Sequence, residues 1–342
     1  MGGRPLDAVH SLSNACSEMN WKSVSGIIVL LGLLGSGLWA WDKWTLWNSP
    51  VGSMETWCIE IGPDDVSPDS PSYWAAALPE AQRVIAWRGW SVRPGRYCES
   101  GEVPAHRIAR RIATGEREEI PVIVPAKRHV ADIAAAIANR MWVDSAALVK
   151  ALDQDSMRWR IVPNTYRMYW EASADDVAAR LVRESEKWWN RDRLKTAWDM
   201  GLTAQEVVTL ASIVQEETAR LDEAPRVAGL YLNRLKKGML LQADPTLKFA
   251  IGDWEIQRLL DKDKRVDSPY NTYLNPGLPP GPIRIPEPTY IDAVLQAEKH
   301  HYLYMCAKPD GSGRHAFAAR YADHLRNARA WQNMLNREQI YR

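Results

Sequence analysis

Cysteine, phenylalanine and net charge are all scarce in this chain. Its 342 residues hold 4 Cys and 2 Phe, and 43 Lys+Arg against 42 Asp+Glu leave a formal charge of +1. The cysteines, at 16, 58, 98 and 306, make no C-x-x-C pair, which argues against a zinc ribbon or a thioredoxin-type motif. Three of them follow the apolar segment described below and cannot all pair, so no essential disulfide framework is expected. The lack of a basic surplus argues against a duplex nucleic-acid binder, and no nucleic-acid partner is expected. No H-E-x-x-H or comparable spacing links His300, His301, His315 and His324, so neither a metal nor another cofactor is expected. A charged fraction of 25% excludes general disorder, and the length suffices for sizeable cores. The 17 Trp are a bias in how aromatic positions are filled rather than a sign of function.

The longest apolar stretch comes early. From Val24 to Trp41 there are eighteen residues without a charge, enough to cross a hydrocarbon core of roughly 30 Å. Lys22 precedes the run, Asp42 and Lys43 close it, and Trp21, Trp39, Trp41 and Trp44 flank its ends, where amphipathic rings favour headgroups. About 20 polar residues precede it and no A-x-A site follows, which favours an uncleaved single-pass anchor over a signal peptide. A transmembrane helix is expected over 23–41, after a cytoplasmic tail over 1–22 that carries Arg4 and Lys22. The large C-terminal part would lie outside the cell (inner) membrane, in periplasmic or other extracytoplasmic space.

Residues 42–82 read as a linker leading into short strands. Arg83–Tyr97 has strand-like character with Pro94-Gly95 as a turn. IPVIVP (120–125) reads as a strand, HVADIAAAIANRM (129–141) as a helix, Asp144-Ser145 as the start of another, and RWRIVP (158–163) as a second strand. This β-α-α-β order resembles a LysM module, of the kind that grips peptidoglycan glycan, and a LysM-like subdomain is expected over 83–163. Ten Lys/Arg against five Asp/Glu between Arg83 and Arg128 give that part a modest basic face. Residues 173–200 read as two helical pieces, with Ser173 as an N-cap and Asp176 at N3.

GLTAQEVVTLASIVQEETAR (201–220) carries the chemistry. Thr203 and Glu206 fit a capping box, and Val207, Leu210, Ala211 and Val214 follow the spacing of a buried stripe. At about 100° per residue, Glu216 falls roughly opposite that stripe, pointing to solvent, while Glu217 falls only about 80° from it. A carboxyl at such a boundary is partly desolvated, so its pKa rises and it can hold a proton near neutrality as a general acid. Periodicity alone leaves open a structural pairing of Glu217 with Arg220 or Arg234.

Four ordered blocks, LASIVQEET (210–218), VAGLYLNRLKKGMLLQADPT (227–246), SPYNTYLNPGLPPGPI (268–283) and HYLYMCAKPDGSGRHAF (301–317), closely resemble the YceG-like (MltG) family of endolytic murein transglycosylases. VPNTY (162–166) resembles that family's FPDTY element, with Val162 for Phe and Asn164 for Asp. The family's catalytic glutamate directly precedes Thr in its E-K-E-T motif, which the resemblance carries to Glu217. Gln215 stands at the first acidic position of that motif. The reaction this implies cleaves the β-1,4 bond between N-acetylmuramic acid and N-acetylglucosamine without water, leaving a 1,6-anhydro end, with Glu217 first as acid and then as base.

In the remaining blocks, Leu240 and Leu241 read as a strand end, and Asp244 as the cap of a short helix with Pro245 in its first turn. Gln242, Asp244, Asn271, Thr272 and Tyr273 are the candidate substrate-binding residues. Tyr270 and Tyr273 offer ring faces to a sugar or to a core. GLPPGPI (277–283) reads as a rigid groove wall. The expectation is an α+β protein with a YceG-like catalytic domain over 164–342. Its substrate would be nascent peptidoglycan glycan strands, whose length it limits, with cell-wall synthases nearby. The rival is a non-catalytic, membrane-anchored peptidoglycan-binding scaffold.

Overall fold

The computed structural model describes residues 21–66, 73–256 and 259–337. The expected cytoplasmic tail lies almost wholly outside the described residues. The chain is mixed α+β and divides into two compact units, Met1–Glu118 and Glu119–Arg342, which part inside the 83–163 range.

In the first unit, helix α1 (Trp21–Asn48) runs unbroken through the first charged pair, Asp42 and Lys43. Its apolar face from Ile27 to Leu38 is exposed, whereas Leu46, in its last turn, is buried in the unit's core. Val24–Asn48 is the one described helix long and apolar enough to cross a membrane. Strands β1 (Pro50–Val51) and β2 (Thr56–Ile61) follow, then helices α2 (Tyr73–Ala77) and α3 (Pro79–Arg88), strands β3 (Gly95–Ser100) and β4 (Val103–Pro104), and helix α4 (Ala105–Thr114). β2 pairs antiparallel with β3, and β1 with β4. The core gathers Ile61, Val84, Tyr97, Ile108 and Ile112.

Two expectations fail here. RVIAW (83–87) lies in a helix, because Pro79 starts α3, Gly89 closes it at φ 64°, and the buried Ala81, Val84 and Ile85 follow helical spacing. Cys58 and Cys98 sit opposite one another in the β2–β3 register and form a disulfide, leaving Cys306 free. Counting cysteines could not reveal that register.

The second unit opens with β5 (Glu119–Val124), α5 (Val130–Ala138), α6 (Ser145–Leu152), the single turn α7 (Asp155–Arg158) and β6 (Asn164–Tyr169). β5 and β6 pair antiparallel, so the β-α-α-β order is present. The second strand begins at Asn164 rather than Arg158, since Ile161 and Val162 are buried as irregular chain before it. Helices α8 (Ala174–Trp188) and α9 (Arg191–Asp199) follow, the first opened by the Ser173–Asp176 capping box.

Helix α10 (Ala204–Glu217) is central, with the Thr203–Glu206 capping box at its start. Every residue from Val207 to Val214 is buried, Thr209 and Ser212 included, where a one-sided stripe was expected. Around it pack α9, α11 (Ala224–Lys236), α12 (Asp244–Ile251) and α13 (Pro288–Leu295). A helix covered on all sides has to satisfy its polar side chains internally. Thr209 bonds the Gln205 carbonyl at 2.8 Å, and Ser212 bonds the Thr209 carbonyl at 2.7 Å while accepting the Ile283 N–H at 3.0 Å. That last bond, with Gln205 Nε2 on the Pro280 carbonyl at 2.9 Å, ties the GLPPGPI loop to α10. The β7 (Tyr304–Ala307) and β8 (His315–Ala318) hairpin and α14 (Tyr321–Arg337) complete the unit.

Candidate active site

Helix α10 ends at a pair of adjacent carboxylates, and the chain leaves the helix at Thr218 in extended conformation. Glu216 does not face solvent, as the angles predicted. Its side chain is 6% exposed and closed off by two arginines. Arg128 grips both carboxylate oxygens through Nε and Nη2, at 2.9 and 2.8 Å, and Arg284 Nη1 adds a bond of 2.6 Å. Gln215 turns to a third neighbour, accepting the Glu287 N–H at 2.8 Å ahead of α13. That contact needs only an acceptor, so the amide suffices where the family pattern has an acid.

Glu217 lines a cleft of about 380 Å³ together with Tyr231, Arg234, Gln242, Asp244, Tyr273 and His315, among others. Burial pushes its carboxyl up to about 7, offset in part by the Tyr231 hydroxyl, while the Asp244 charge raises it further and Arg234 lowers it. Tyr231 Oη donates to Glu217 Oε1 at 2.8 Å. Tyr231 is itself buried, and burial together with Glu217 holds its hydroxyl well above the usual tyrosine range, so it remains a donor. The last turn of a helix is also the negative end of its dipole, a further disadvantage for a carboxylate. A carboxyl raised to about 7 lies close enough to neutrality both to give a proton and to take one back.

Of the candidate binding residues, Gln242, Asp244 and Tyr273 surround the same cleft as Glu217. Gln242 is the single non-glycine among the described residues with positive φ, at 49°. Its strain is held from both sides: Arg234 Nη1 bonds the Leu241 carbonyl at 2.7 Å, and the Gln242 and Ala243 N–H groups bond Thr272. Leu240 and Leu241 therefore form a braced loop rather than a strand. Asp244 begins α12 without capping it. Its exposed carboxylate instead accepts the Tyr273 hydroxyl at 2.5 Å. A smaller depression of about 170 Å³, lined by Glu216, Glu217, Asp244, Pro245, Lys248 and Leu259, adjoins the cleft. Glu217 and Asp244 thus border open space on two sides.

Asn271 and Thr272 lie behind this wall, buried, where a substrate-facing place was expected. Asn271 Nδ2 bonds the Lys264 and Val266 carbonyls and its Oδ1 accepts the Tyr273 N–H. Thr272 Oγ1 bonds Thr246 at 2.8 Å and accepts the Ala243 N–H at 3.0 Å. Their polar groups hold the loops that carry Tyr273 and Gln242. Tyr270 packs on Phe249 at 4.5 Å, and GLPPGPI is absent from the residues lining the cleft.

Three residues outside the candidate binding set also line the cleft: Tyr231, Arg234 and His315. Tyr231 stands between Leu230 and Leu232 with no local pattern to mark it, and Arg234, one of the two arginines left open as a partner for Glu217, instead bonds the Leu241 and Leu303 carbonyls. His315 lines the cleft with its Nδ1 3.2 Å from the buried carboxylate of Glu223, which also accepts the His315 N–H. Those two residues lie 92 apart in sequence, with no local pattern joining them. Among the described residues no cluster of three or more His, Cys, Asp and Glu is placed to hold a metal ion.

A buried carboxyl raised toward neutrality at the end of a central helix, set in a polar cleft, has the chemistry that a general acid–base site requires in an α+β protein. The chain belongs to the YceG-like family, whose model matches residues 69–330. An endolytic murein transglycosylase of Bacillus subtilis is 34% identical over 141 residues, covering 41% of this chain and 39% of that protein. Two Streptococcus pneumoniae proteins with the same description are 30% identical over 161 residues, covering 46% of this chain and 28% of each. The aligned parts therefore span well under half of those relatives' lengths. The crystal structure of a YceG-like protein from Listeria monocytogenes superposes with a TM-score of 0.52 at 23% identity, over 80% of this chain and 99% of that one, which shows a shared fold.

Proposed function

We propose that this chain is an endolytic murein transglycosylase in which Glu217 serves as acid and then as base. The observation that carries the reading is the Glu217 carboxyl at about 7 inside a polar cleft. Protonated Glu217 gives its proton to the glycosidic oxygen as the bond from the muramoyl C1 breaks, freeing the 4-hydroxyl of the glucosamine unit. The resulting carboxylate takes the proton of the muramoyl 6-hydroxyl as that oxygen bonds C1. Glu217 ends as it began, and no water is consumed. Because the substrate supplies its own nucleophile, a second catalytic carboxylate is not required. The open space on both sides of Glu217 suits a strand cut internally, and nascent glycan beside the synthases is the substrate class.

Asp244 favours a second reading, hydrolysis through water, because it places another carboxylate on the cleft wall. Mass spectrometry of glycan digested by the purified protein separates the two. Anhydro-muramoyl ends, lost in Glu217→Gln, support transglycosylation, and reducing ends support hydrolysis. Intact glycan from the wild type leaves the scaffold reading.

The same proposal places the chain in the membrane by an uncleaved α1, with the N-terminus cytoplasmic and the rest outside. Leu46 supports this, because the end of the apolar helix is part of the first unit's core and removal of the helix would open that core. The Cys58–Cys98 disulfide suits an oxidising compartment. We assign cleavage to the region over 164–342, and a LysM-like role to the β-α-α-β segment before it.

A further inference from the structure

We infer that the first unit rests on the membrane surface through a tryptophan–arginine foot on α3, which binds the phospholipid headgroup layer beside the anchor. This rests on the anchor reading of α1. Twenty residues of helix, at 1.5 Å each, cross about 30 Å of hydrocarbon, so a span beginning at Val24 reaches the far boundary near Lys43. At this level α3 meets α1. The Trp87 ring lies 6.5 Å from Trp39, 6.0 Å from Trp47 and 5.9 Å from Lys43 Nζ. The Arg88 guanidinium sits over the rings of Trp47, Trp87 and Trp90, at 5.6, 5.8 and 5.4 Å.

Trp39, Trp87 and Arg88 are exposed, as is Arg83 one turn earlier on the face of Trp87. Indole rings favour the headgroup zone, where an apolar body and an N–H donor are both accommodated. Arginine and lysine there meet lipid phosphates, whose negative charge attracts them. The foot is continuous with the apolar span and carries the charge sign that phosphate requires. A protein partner would have to displace lipid already at that height.

The test uses the full chain in nanodiscs of phosphatidylethanolamine and phosphatidylglycerol. p-Benzoylphenylalanine is placed singly at 39, 87, 83 and 198, the last being an exposed tryptophan of the second unit. After irradiation, mass spectrometry reads the adducts. Lipid adducts at 39, 87 and 83 but not at 198 are expected. Lipid at 39 with neither 87 nor 83 labelled overturns the foot and leaves the anchor standing. A covalent dimer through 87 or 83 in place of lipid also overturns it, assigning the patch to a second copy. No lipid adduct even at 39 overturns the anchor reading itself. Position 83 keeps the result decisive should replacement of Trp87 disturb α3.

Discussion

Glu216 and Glu217 are neighbours on one helix, yet the protein surrounds them in opposite ways. On one side of the last turn of α10, Arg128 and Arg284 enclose Glu216 with three bonds. On the other, Glu217 meets a single neutral donor, Tyr231, and faces a cleft. Glu216 is thereby occupied on both oxygens by structural partners, whereas the Glu217 carboxyl, desolvated beside a neutral hydroxyl, is raised toward neutrality and can exchange a proton. Helical position distinguishes the two only by an angle. The side chains brought up from elsewhere in the chain decide which is structural and which is chemical.

The largest effect expected is from Glu217→Gln, which removes the proton carrier and lowers cleavage by about 10²–10⁴-fold, read as anhydro-muramoyl ends released per unit time. The fold should survive, and stability gives an independent readout. A carboxyl raised from 4.5 to about 7 on folding favours the native state below its unfolded value and loses that contribution as pH climbs through about 7. Glutamine never ionises, so the variant should unfold at a higher temperature than wild type at pH 8 and show little such difference at pH 5. Equal inactivity accompanied by lower stability at pH 8 would remove the distinction drawn between the two glutamates.

Glu216→Gln comes next, with the pattern reversed. It strands two guanidiniums, Arg284 mostly buried and Arg128 about half exposed, so the cost should be about 2–3 kcal/mol in urea unfolding rather than the full penalty of a buried pair. Cleavage per folded molecule should stay near wild type. Abolished cleavage in a fully folded variant would move the chemistry to Glu216.

Local signals were legible in the sequence and long-range ones were not. Both capping boxes, Ser173–Asp176 and Thr203–Glu206, follow from residues three apart. The β-α-α-β order and the place of Glu217 near an apolar boundary also follow from short windows. The Glu216 clamp comes from arginines 88 and 68 residues away, and no window on α10 contains them. The Cys58–Cys98 pairing needs a strand register, and the supporting rather than lining place of Asn271 and Thr272 needs loops packed two deep. RVIAW misled because a short apolar run is read equally well as strand or helix until its flanking Pro and Gly are weighed.

Tyr231→Phe sharpens the comparison from the side of Glu217. The hydroxyl lowers the carboxyl's pKa, so its loss raises it further. The alkaline limb of the kcat/KM profile should therefore move up by about one pH unit, the scale of one hydrogen bond to a charged group. Activity at pH 6 should fall, because the carboxylate that recovers the proton is no longer stabilised. A profile that stays in place would mean that Tyr231 only fills space.

The smallest shift should come from Asp244→Asn, and it is opposite in sign. Asp244 raises the Glu217 carboxyl by charge alone, so neutralising it should draw the alkaline limb down, by less than Tyr231→Phe moves it up. The Tyr273 hydroxyl keeps an acceptor in the asparagine carbonyl, so the loop carrying Tyr273 should hold its place. Under transglycosylation most activity remains below pH 6, since Asp244 takes no proton in either step. If Asp244 instead activated water, the same substitution would abolish cleavage at every pH, and the wild-type products would carry reducing ends. Limb position and product ends thus test, in one variant, whether Glu217 carries both proton transfers without a second carboxylate.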